Sequence, residues 1–285
     1  MRNATLPPKA LLHDYDLGVA ALPEGGTVRT SLTDRRADVA ALHQHYDAVG
    51  GRPHLMTSTL AWPKTDKLAQ LALYPLTNKG RPLEELRGAV LKAAGRRCLL
   101  CASDRPTSLD HVLPKAKHPA LSVLPTNLIG ACEPCNRRKL STCLADPEKQ
   151  FIHPYYDTLP QDIAWLQCTP LSADGHLAPS FRVEGAPGMD QELARRLQWQ
   201  FGRLHLGDYY SDEAIVHCTT QAMGWLEVFD GSDEDFRLVL ERELRSVRRP
   251  FGDNVWQAAL LRGLLADAVF MRTAPVVLER LLLEA

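Results

Sequence analysis

Apolar positions along the chain follow two periods, and their order sketches an α+β protein. Val39, Ala40, Leu42, Tyr46 and Val49 share one helical face and predict a helix over 31–49, ended by "GGRPH". "TDKLAQLALYPL" predicts another, stopped before Pro75. Pro82 opens a third over 83–94, with Glu84 and Glu85 in its first turn and Gly95 just past its end. Residues 1–30, with Pro7, Pro8, Pro23 and the Gly25-Gly26 pair, predict loop with short pieces of structure. "TSLDHVLP" and "NLIGA" read as short strands separated by a proline-rich loop, and "EPCNRRKLS" reads as a helix opening near Pro134. "IAWLQCTPL" and "LAPSFRVE", divided by the turn signal "SADGH", predict a hairpin. From Met189 onward the period is helical, over 190–206, 212–229, 233–248, 254–272 and 275–283, with Ser232 and Asp253 as capping residues. The expected organisation is an N-terminal, partly helical extension (1–94), a compact core (95–150), a hairpin connector (151–188) and an α-helical C-terminal domain (189–285). Its last boundary falls in 175–190, where "GAPG" interrupts the pattern.

Composition narrows the class. With 285 residues, 45% hydrophobic and 24% charged, the chain is globular. No run approaches the roughly 18 apolar residues of a membrane span, and the first residues lack an apolar signal region, so a cytoplasmic protein without membrane partners is expected. The net charge of −1 conceals an uneven distribution: residues 79–150 carry +6, whereas 151–181 carry −3 and 182–285 carry −5. A basic segment beside acidic ones fits a polyanion-binding face.

That segment also holds the candidate chemistry. Four of the seven cysteines form two pairs, Cys98-x-x-Cys101 and Cys132-x-x-Cys135. In a reducing compartment such pairs read as ligands of one tetrahedral zinc before they read as disulfides. The insert between them, strand–loop–strand leading into a helix, would bring Asp110, His111 and Asn136 toward one cleft. Asp110 and the Asn136 amide oxygen are hard oxygen donors suited to Mg²⁺ or Mn²⁺. His111, with an ordinary pKa of about 6.5, can take a proton from water near neutral pH. Asn127 is expected to tie the loop to the hairpin and hold the histidine in place. Lys115, Lys117, Arg137, Arg138 and Lys139 supply positive charge for flanking phosphates.

The stretch "LDHVLPKAKHPALSVLPTNLIGACEPCNRRK" resembles the HNH endonucleases, the ββα-metal nucleases. It has their Asp-His, a middle Asn and Cys-x-x-Cys-Asn with a trailing Lys, over roughly residues 95–142. The resemblance implies an HNH core with a structural four-cysteine zinc site and a catalytic divalent cation. His111 would be the general base, Asp110 and Asn136 metal ligands, and Asn127 the residue that orients the base, a His-Asn-Asn variant. It implies hydrolysis of nucleic acid, DNA ahead of RNA. "HPYYD", at 153–157, is similar to stand-alone bacterial HNH proteins, some associated with mobile elements or phage defence.

Two other readings compete. One is a non-catalytic, zinc-stabilised nucleic-acid-binding module. The other is a toxin-like effector whose acidic C-terminal helices bind a sensor or ATPase partner. Those helices are expected to serve partner docking or homo-oligomerisation. His153 is expected to be structural, His43 and His45 face different ways on their helix, and Cys143, Cys168 and Cys218 are expected to be buried apolar residues.

Overall fold

The computed structural model describes all residues except 9, 57–60, 172–175, 230–232 and 285, and leaves the Asp233 side chain undescribed. The chain is mixed α+β and divides into two compact units, Met1–Leu159 and Pro160–Ala285. The hairpin therefore belongs with the C-terminal helices, and the division precedes it instead of falling in 175–190.

In the first unit the expected N-terminal loop contains two helices, α1 (His13–Ala20) and the start of α2 (Thr27–Asp34). Eight-residue helices are marginal on their own propensity, so tertiary packing holds them. Tyr15 is buried and donates its hydroxyl to the Leu32 carbonyl at 2.8 Å. The helix predicted over 31–49 is two helices, α2 and α3 (Arg36–Ala48), broken at Arg35. Arg35 turns its guanidinium to Asp66 at 2.8 Å. That carboxylate sits in α4 (Lys64–Leu71), which ends earlier than expected, before a 3₁₀ turn over Tyr74–Thr77.

Helix α5 (Glu84–Ala94) matches its prediction and ends at Gly95, whose φ of +66° suits glycine. It buries Leu86, Val90 and Ala94. Strands β1 (Ser108–His111) and β2 (Leu128–Ala131) pair antiparallel, with Asp110 opposite Ile129 and His111 opposite Leu128. Helix α6 (Glu133–Lys139) follows directly, Cys132 at its N-cap and Pro134 in its first turn. Leu109 and Leu128 join the α1–α5 core, so the N-terminal helices form the floor beneath the strand pair.

Gly130 is where α5 meets β2. A Cβ built there would lie 2.5 Å from the Ala94 Cβ and 3.2 Å from the Pro106 Cβ. Gly130→Ala is therefore expected to cost about 1–3 kcal/mol through overpacking. A lowered urea midpoint with unchanged slope would show it; an unchanged midpoint would contradict the close approach.

In the second unit β3 (Leu166–Leu171) and β4 (Leu177–Val183) form the expected antiparallel hairpin; residues 172–175 of its "SADGH" turn lie outside the described residues. Five helices follow: α7 (Gln191–Arg203), α8 (Leu206–Val228), α9 (Asp233–Phe251), α10 (Trp256–Ala266) and α11 (Ala268–Glu284). The helix expected over 254–272 breaks at Asp267, whose carboxylate accepts the Val269 and Phe270 N–H groups at 2.9 Å each. Pro275, expected to open the last helix, lies inside α11. Val255, not Asp253, stands at the N-cap of α10. The Asp253 carboxylate is instead held by Arg248 at 2.5 Å and Arg262 at 3.5 Å. Ser232, the other expected cap, lies outside the described residues.

Candidate metal centre and adjoining cleft

The two cysteine pairs meet. The four sulfurs lie within 4.8 Å of one another, with Cys101 Sγ and Cys132 Sγ 3.9 Å apart. A tetrahedral zinc at ~2.3 Å from each sulfur would separate neighbouring sulfurs by roughly 3.8 Å. Local backbone builds each half. Cys98–Cys101 forms a tight turn in which the Leu100 N–H points at Cys98 Sγ at 3.4 Å and Ala102 adopts φ +55° to bond the Cys98 carbonyl at 2.8 Å. The second pair straddles the N-terminus of α6. Leu99 N–H bonds the Gly130 carbonyl at 3.2 Å and ties the first half to β2.

All four cysteines are buried. Hydrogen bonding, first with Cys101, pulls the Cys98 thiol well below its ordinary range and pushes Cys132 and Cys135 up. Four buried thiols this close resist ionising together, which is the electrostatic situation a divalent cation relieves. Donor set, spacing and burial fit a metal such as zinc.

Beside this centre lies a cleft of about 420 Å³ lined by Asp110, His111, Asn136, Lys115, Arg137 and Tyr74, among others. The first three are the residues the sequence predicted to converge. His111 Nε2 faces the Ser122 carbonyl at 2.9 Å. A carbonyl only accepts, so Nε2 carries the hydrogen and Nδ1 is the basic nitrogen. Burial, the main cause, pushes the His111 pKa down to about 3, assisted by Lys115 and Lys139 against the Ser122 carbonyl. The imidazole is thus neutral at pH 7.

Asp110 Oδ1 accepts the His111 N–H at 2.7 Å. Oδ2 is buried without a hydrogen bond, although it lies 3.3 Å from Lys139 Nζ. Burial raises the Asp110 pKa, and Lys139 is the largest opposing influence. An under-coordinated carboxylate oxygen beside an open cleft fits a hard cation. Asn136 donates Nδ2 to Ser108 Oγ at 3.1 Å, which leaves Oδ1 as its ligand atom. Asn127 is fully buried and clasps the chain beyond His111. Its Oδ1 accepts Leu113 N–H at 2.8 Å, and its Nδ2 donates to the carbonyls of Leu113 (3.1 Å) and Leu121 (3.2 Å). It touches the loop and not the imidazole.

The basic residues divide. Lys115 and Arg137 line the cleft, whereas Lys117 and Arg138 are outside its lining. Lys117 donates to the Cys143 carbonyl at 3.1 Å. Lys139 is a correction: expected as a phosphate-binding cation, it is 1% exposed. It ion-pairs with Asp110, donates to the His111 carbonyl and lies 5.4 Å over the Phe151 ring. An available signal was its spacing: Cys135 and Lys139 stand four apart on α6 and share its inward face.

Tyr74 was missed. It comes from the N-terminal extension, its hydroxyl donates to the Leu109 carbonyl at 3.1 Å, and its ring centroid lies 4.7 Å from that of His111. Nothing in its sequence context marks it. His153 is structural: its Nε2 is 2.8 Å from the Tyr46 hydroxyl, and its N–H bonds Asp157 at 2.6 Å. Tyr155 reaches the Leu128 carbonyl at 2.9 Å, so "HPYYD" braces β2 and α3. Of the remaining cysteines, Cys218 is buried and Cys143 and Cys168 are half-buried.

The described residues thus define a mixed α+β protein with a buried four-cysteine cluster beside a polar cleft. The chain is similar to protein ea31 of Escherichia phage lambda, 28% identical over 222 residues, covering 72% of this chain and 74% of the phage protein. No family model matches, and no solved structure gives a significant match. No described helix is long and apolar enough to cross a membrane.

Proposed function

We propose that this protein is a metal-dependent endonuclease of the HNH class, with β1, β2 and α6 as its ββα-metal core. The observation that carries the reading is the convergence of Asp110, His111 and Asn136 on one cleft, with His111 Nε2 engaged and Asp110 Oδ2 lacking a hydrogen bond. Asp110 and Asn136 would hold Mg²⁺ or Mn²⁺, which when bound neutralises charge on the phosphate and the departing oxygen. His111 Nδ1 takes a proton from water, the oxygen attacks phosphorus, the P–O3′ bond breaks, and the departing oxygen is protonated by solvent. Asn127 fixes the loop that carries the histidine. Zinc on four thiolates has no open position and would serve folding alone.

DNA is the first substrate to test and RNA the second. Similarity to a phage protein fits a setting in phage defence or a mobile element. The acidic C-terminal helices remain the natural place for a protein partner or a second copy.

One observation favours the competing non-catalytic module: Asp110 already has a cationic partner in Lys139. Incubating purified protein with supercoiled plasmid or structured RNA in Mg²⁺, Mn²⁺ or EDTA separates the readings. We expect cleavage with either cation, none in EDTA, and loss of cleavage in Asp110→Asn. Retained cleavage by Asp110→Asn would remove Asp110 from the metal site.

A further inference from the structure

Among the described residues, the cleft lining has one cation that no carboxylate pairs with. Lys139 is sealed against Asp110, and Arg137 pairs with Glu133 at 3.6 Å. Among the described residues Lys115 forms no ion pair. Its ammonium instead sits 3.5 Å from the centroid of the Tyr74 ring. That ring also packs against His111, at 4.7 Å between centroids, and its hydroxyl is anchored on the Leu109 carbonyl at 3.1 Å. One tyrosine therefore fixes both the candidate base and a half-buried ammonium in the same cleft. A lysine ordinarily loses much side-chain freedom when it binds an anion. Here the aromatic face has already restricted it, and cation–π contact leaves its N–H groups available to oxygen.

We propose that Lys115 is a catalytic residue that holds a non-bridging oxygen of the scissile phosphate, and that Tyr74 is its positioning residue. The inference rests on the nuclease reading. No proton moves in this role: the ammonium stays intact and opposes the negative charge that accumulates on phosphorus-bound oxygen as water attacks. Charge fixed in advance favours the transition state over the ground state, so its loss lowers kcat more than it raises KM. Lys117, outside the cleft lining, has no such leverage.

The test compares Lys115→Met, Tyr74→Phe, Tyr74→Leu and the Tyr74→Leu/Lys115→Met double variant. Lys115→Met is expected to lower kcat by roughly 10²-fold, the scale of one preorganised charge-stabilising donor. KM should change little. Tyr74→Phe keeps the ring but loses its anchor on the Leu109 carbonyl, so it should lose less than Tyr74→Leu. Tyr74→Leu should lose about tenfold in kcat, on the scale of a cation–π contact, and that loss should shrink when Lys115 is already methionine, leaving only the part carried by the contact with His111.

A second measurement needs no turnover. Inorganic phosphate, titrated into protein with labelled tyrosines, should shift the Tyr74 ring resonances saturably in wild type and not in Lys115→Met. Failure of the nuclease reading would appear as absent cleavage with this phosphate response intact. Lys115→Met with normal kcat and raised KM, a full Tyr74→Leu loss in the double variant, or no phosphate response in wild type would each overturn the proposal.

Discussion

Cys135→Ser is expected to unfold the metal-bearing part of the Met1–Leu159 unit, the largest effect anticipated for any single substitution here. Structural zinc in small domains contributes apparent binding energies of about 10–16 kcal/mol, whereas a whole domain is stable by only about 5–15 kcal/mol. Cys135 is buried within the four-sulfur cluster and stands in the first turn of α6, so its loss removes a ligand and loosens the helix that carries Asn136. Cys98→Ser should behave alike, because Cys98 anchors the turn that Leu100 and Ala102 close. Metal analysis of purified protein should give one zinc per chain in wild type and a large deficit in either variant. Circular dichroism should lose signal in parallel, and a chelator should reproduce the change in wild type. A variant that keeps both its fold and its zinc would refute the four-thiolate centre.

His111→Ala carries the second large expectation. Removing the ring leaves the Ser122 carbonyl without its donor, but the other neighbours hold: Asp110 accepts a main-chain N–H, and Asn127 holds Leu113 and Leu121. The variant should therefore fold and hold zinc. Removing a positioned general base costs on the order of 10²–10⁴ in rate. The expected enzyme is folded and nearly inactive, with zinc content close to wild type and a denaturation midpoint lowered by the unpaired Ser122 carbonyl, worth about 1–3 kcal/mol.

Much of the candidate site was legible because its signals are local. The cysteine pairs have metal-ligand spacing, β1 and β2 are short β-rich runs, and Pro134 marks the start of α6. Once these elements are placed, Asp110, His111 and Asn136 must approach one another. What escaped depends on tertiary packing. Tyr74 enters the cleft because α4 ends early and a 3₁₀ turn points the chain at β1; no periodicity announces that. Lys139 ends a run of three basic residues that reads as a solvated face, yet the turn of α6 sends it inward. Ser122 acts through its carbonyl, which no side-chain pattern can reveal. Among the C-terminal helices, Asp267 looks like an ordinary helical acid until its carboxylate is found capping α11.

The same three-residue convergence defines the most direct test. Purified wild-type and His111→Ala proteins, both folded at the assay temperature and matched for zinc content, should be compared for plasmid nicking in Mg²⁺, Mn²⁺ and EDTA. The account predicts cation-dependent nicking by wild type, none in EDTA, and almost none by His111→Ala. Nicking by His111→Ala at the wild-type rate would contradict the assignment of the base, and with it the mechanism proposed for the cleft.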